Sequence, residues 1–85
     1  MAHSFEESYE EQLAIQDDLS MLRDDLMAEL QAINQYQEHI LDLDNEEAVN
    51  TLEHIVEEEK KHVAELLRLI QNLDPVQAEK FKRIL

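Results

Sequence analysis

The stretch LDLDNEEAV, Leu41 to Val49, is where one repeating pattern in the chain stops and a second begins. Upstream of it, Leu19, Leu22, Leu26, position 29, Ile33, Tyr36, Ile40 and Leu43 recur in alternating steps of three and four. Downstream, Val49, Leu52, Val56, position 59, Val63, Leu66, Ile70 and Leu73 recur in the same way. Alternating steps of this kind put one apolar stripe along a helix. Within the break, Asp44 or Asn45 can cap a new helix. Asp44 with Glu47 three residues later also resembles a capping box, and the acids of the first turn suit the helix dipole. Two helices joined by a tight turn near Asp44 fold back as an antiparallel hairpin.

The composition agrees with this reading. The 85 residues include no glycine, no cysteine and one proline, Pro75, and 44% of them are apolar. A chain so poor in turn formers favours long helices over a sheet, and the fold class read from it is all-α. At NLDPV, Asp74 can cap and Pro75 can open a short third helix. The expected layout is a tail at residues 1–8, too poor in apolar residues to pack, followed by one domain over 9–85. Its helices are expected at about 9–43, 46–73 and 75–84.

The charge limits the partners. With 21 acidic residues against 7 Lys and Arg, the formal net charge is −14, which repels phosphate backbones and attracts cations. Nucleic acid is not an expected partner. No apolar run approaches the roughly 18–20 residues that span a bilayer, and the N-terminus lacks the layout of a signal peptide, so a soluble protein without a membrane partner is expected. Without cysteine, any metal site must be built from carboxylate and imidazole. A domain this small, without disulfides, is expected to draw stability from assembly.

Positions 29 and 59 are glutamates, on stripes that otherwise carry no acid. Each lies fifteen residues from Asp44, so a hairpin turning there puts both at one height, about 22 Å from the bend. Burying two carboxylates side by side is unfavourable unless they are solvated, protonated or bound to a cation. His62 follows Glu59 by three residues and shares the flanking row Ile55, Glu59, His62, Leu66, Leu69 and Leu73, so it too faces inward. Either glutamate alone could be a rim residue that packs its stem and reaches water with its head. Together with the histidine they match half of a di-iron carboxylate arrangement, in which two helices each give a Glu and two others each give Glu-x-x-His. The other half would come from a second copy, the two hairpins forming a four-helix bundle. Two divalent cations would then cancel four carboxylates. Tyr36, seven residues after Glu29, is read as either a core aromatic or a donor beside the metal. His39, His54 and His3 are read as solvated.

Further residues carry a family resemblance. MAELQAINQYQ (Met27–Gln37), then EEEKKHVAELLRLI (Glu57–Ile70), then Asp74–Pro75 resemble the encapsulated ferritins, the ferritin-like cargo proteins of encapsulin nanocompartments. The resemblance implies a ferroxidase that oxidises Fe(II) with O2 for storage, with Glu29, Glu59 and His62 as iron ligands and Tyr36 near them. It implies two irons per dimer at a centre between subunits, a decamer of five dimers, an encapsulin shell partner and a place inside that compartment in the cytoplasm. Ala28, Gln31 and Gln35 depart from members that have two further glutamates and a tryptophan there. Two other readings share the helices: an acidic assembly module whose seam glutamates set register, and a structural zinc or manganese site.

Overall fold

The computed structural model describes residues 5–85. They form α1 (Phe5–Asp42), α2 (Glu46–Leu73) and α3 (Pro75–Ile84), with no strand among them. α1 begins at Phe5, so residues 5–8 of the expected tail are helical, and residues 1–4 of it lie outside the described residues. No glycine or proline interrupts that run, and extending a helix already nucleated downstream is far easier than starting one.

The turn is closed by Asn45 rather than by Asp44. The Asn45 Oδ1 accepts the Ala48 N–H at 2.8 Å, and Leu43 N–H donates to the His39 carbonyl at 3.0 Å. With Asn45 at the cap, the third helical position is Ala48, so the Asp44–Glu47 capping box does not form. Asp74 serves two helices. Its N–H ends α2 on the Ile70 carbonyl at 2.8 Å, and its Oδ1 starts α3 by accepting from Gln77 N–H at 3.1 Å. Its Oδ2 takes the Arg23 guanidinium at 3.1 Å, tying the α2–α3 corner to α1.

α1 and α2 run antiparallel along the two apolar stripes. Among the described residues, the buried apolar side chains are Leu19 and Ile33 from α1 and Val56 and Ile70 from α2. Counted from the turn, Leu19 is level with Ile70 and Ile33 with Val56. The two glutamates lie between these apolar layers.

The hairpin is one helix-pair thick, 64 × 26 × 16 Å, with a radius of gyration of 18.3 Å. A compact chain of this length has about 12 Å. Large apolar side chains remain exposed on it, among them Met21, Met27, Leu30 and Leu69. None of the described helices is long and apolar enough to cross a membrane.

Candidate metal centre

The seam positions of α1 and α2 bring Glu29 and Glu59 together, and one helical turn along α2 brings His62 to both. The His62 Nδ1 stands 3.7 Å from Glu29 Oε2 and 3.8 Å from Glu59 Oε2. These distances are longer than hydrogen bonds. One ligand atom from each of the three residues lies within 4.8 Å of the others. Two donors at about 2.0–2.2 Å from one ion can be at most about 4.4 Å apart, so both imidazole–carboxylate pairs already meet that limit. The widest spacing needs a side-chain adjustment of a few tenths of an ångström.

Burial is graded across the group. The side chains of Glu59, Glu29 and His62 are 18%, 26% and 45% exposed. Glu29 Oε2 is itself fully shielded from solvent and has no hydrogen-bond partner. A buried acceptor left in this state is unfavourable by roughly 1–3 kcal/mol, and by more when it is charged. Among the described residues, no Lys or Arg pairs with Glu29 or Glu59. A cation placed among the three atoms would supply the missing partner. The donor set of two carboxylates and an imidazole suits the harder and intermediate divalent metals, Fe(II), Mn(II) and Zn(II).

The group opens to solvent through a groove lined by Asp25, Ala28, Glu29, His62, Glu65, Leu66 and Leu69. Asp25 and Glu65 are absent from a reading confined to the stripes. The signal for them is spacing: Asp25 is one turn before Glu29 and Glu65 one turn after His62, which places both beside the site at its rim. Tyr36 is half-buried two turns beyond Glu29, and no hydrogen bond joins it to the three residues among those described. His39, His54 and Glu58 are exposed, and His3 lies outside the described residues.

The chain is 47% identical over 57 residues to an encapsulin nanocompartment cargo protein of Myxococcus xanthus, a match spanning 67% of this chain and 44% of that protein. It is 38% identical over 64 residues to a ferritin-like-encapsulin shell fusion protein of Pyrococcus furiosus, spanning 75% of this chain and 19% of that protein. The chain thus spans less than half the length of these curated relatives. No family model matches it, and no solved structure does.

Proposed function

We propose that this chain is a ferritin-like cargo protein of an encapsulin shell, and that Glu29, Glu59 and His62 bind Fe(II) for oxidation by O2. The observation that carries the reading is the shielded, unpartnered Oε2 of Glu29, facing His62 and beside Glu59. A register-setting glutamate in a plain helical module is expected to bond to something. This one faces two further ligands. The similarity to two encapsulin-associated proteins supports the cargo role.

The residues would act as follows. Glu29 and Glu59 neutralise the metal charge, and His62 binds through a deprotonated ring nitrogen, so acid competes with the metal. Leu66, Leu69 and Ala28 line one wall of the groove that leads to the site. One copy supplies three ligands and leaves positions open, which a second copy approaching this face would fill with its own three, giving four carboxylates and two imidazoles around two irons. Each Fe(II) gives one electron to O2. Two of them with two protons yield hydrogen peroxide, and four with four protons yield water. Among the described residues, two packed helices enclose no space for mineral, so ferric product would pass to the interior of the shell.

The test is anaerobic loading with Fe(II), then air, following ferric absorbance in the near ultraviolet for the wild type and Glu59→Ala. The reading expects oxidation well above the buffer rate in the wild type and a loss of that excess in the variant. Rates equal to buffer in both, with stability raised by zinc or manganese, would favour a structural metal site. Indifference to every metal would favour the assembly module.

A further inference from the structure

The three ligands differ in their access to solvent. Glu59 and Glu29 are 18% and 26% exposed and His62 is 45% exposed, so the group is most open on the His62 side. A groove reaches it there. One wall of the groove is apolar, made by Ala28, Leu66 and Leu69, and the polar groups along the rest are Asp25, Glu29, His62 and Glu65. No Lys or Arg lines it.

Height along the hairpin orders these groups. Counted from Asp44, Glu29 and Glu59 stand at fifteen residues, His62 at eighteen, Asp25 at nineteen and Glu65 at twenty-one. At a rise of about 1.5 Å per residue, Asp25 lies about 6 Å beyond Glu29 and about 3 Å short of Glu65 along the axis. The two rim acids thus come from different helices and line one groove. Both are exposed, and among the described residues no Lys, Arg or His pairs with either. Arg23, two residues from Asp25, is held by Asp74 instead. Two surface acids alone would be an ordinary solvated rim. What points here to a cation is the end of the groove, where the Oε2 of Glu29 is shielded and lacks a hydrogen-bond partner.

We infer that Asp25 and Glu65 deliver the divalent cation, drawing it into the groove and passing it to His62 and Glu29. The inference rests on the iron-binding reading of Glu29, Glu59 and His62 and names the route by which that substrate arrives. A cleft lined by charges of one sign beside an apolar wall focuses field lines, and such steering raises arrival rates by about 10–10³-fold. The rim acids act on arrival and do not hold the reacting metal. They therefore set how much Fe(II) the site needs and leave turnover at saturation alone.

The test compares the wild type with two variants, Asp25→Asn with Glu65→Gln and Glu46→Gln with Glu47→Gln. The second removes the same two charges from exposed positions at the turn, about 18–20 Å along the axis from Glu29 and Glu59. Helical content is checked by circular dichroism. Zn(II) affinity is read by calorimetric titration at low and high salt, and Fe(II) oxidation is followed over a range of Fe(II) concentrations. At low salt the rim variant is expected to bind Zn(II) about three- to tenfold more weakly than the wild type, a gap that closes at about 0.5 M salt. Its half-saturating Fe(II) concentration is expected to rise by the same factor with kcat unchanged, while the turn variant matches the wild type. A rim variant indistinguishable from the turn variant would overturn the inference, since net charge alone would then act. A fall in kcat, or a Zn(II) loss that persists in high salt, would also overturn it by making the two acids ligands. A wild type that binds no Zn(II) and oxidises no Fe(II) would remove the iron-binding reading itself, and the inference with it.

Discussion

The His62 Nδ1 lies 3.7 Å from the Oε2 of Glu29, an oxygen shielded from solvent and without a hydrogen-bond partner. α2 thus offers an imidazole, and α1 a carboxylate, at a point where neither completes the other.

The first prediction concerns the metal-free protein. Replacing Glu29 with leucine removes the orphaned acceptor and restores the apolar stripe, so the metal-free form should gain about 1–3 kcal/mol. The same substitution should abolish any rise in melting temperature on adding Fe(II), Mn(II) or Zn(II). Thermal unfolding with and without chelator measures both. Loss of stability in the metal-free variant would mean that Glu29 has a structural partner in solution.

His62→Ala should weaken metal binding by at least about tenfold, as removal of even a supporting partner of a ligand does. Calorimetric titration with Zn(II) reads this without redox chemistry. An unchanged affinity would place the metal elsewhere.

Ala28 is exposed in the single hairpin, beside Glu29 in the groove. For an isolated chain, Ala28→Trp should change stability by no more than about 0.5 kcal/mol. If a second copy closes on this face, the indole blocks it, and the variant should lose both dimer mass and iron oxidation while staying helical.

Asp74 caps α3 and pairs with Arg23, so Asp74→Ala should be destabilising by about 0.5–2 kcal/mol, chiefly through the lost cap. The Arg23 side chain is 47% exposed, so a double-mutant cycle with Arg23→Ala should give a coupling below about 1 kcal/mol. A larger coupling would make this ion pair, not the cap, the main support of the corner.

Much of this arrangement can be read from residue spacing. Two apolar stripes interrupted by one break specify the hairpin, and equal counts from that break put Glu29 opposite Glu59, because a helix advances by a constant rise. His62 follows from a three-residue step. Other features depend on competition between close alternatives. Asp44 and Asn45 are both good caps, and local backbone geometry decides for Asn45. The start of α1 at Phe5 depends on helix propagation through polar residues, which leaves no apolar trace. Asp25 and Glu65 escape a reading built on stripes, since their place at the rim becomes evident once the two helices are set side by side.

The most direct test of the central claim, that two copies share one iron-oxidising centre, is the initial rate of Fe(II) oxidation as a function of protein concentration. The series should start well below the concentration at which the protein sediments as a monomer. A centre completed by a second copy predicts a rate that rises with the square of protein concentration in that range and turns linear once dimers dominate, with Glu59→Ala at the buffer rate throughout. A rate proportional to protein at every concentration would mean that one hairpin suffices. A rate equal to buffer at every concentration would remove the ferroxidase reading altogether.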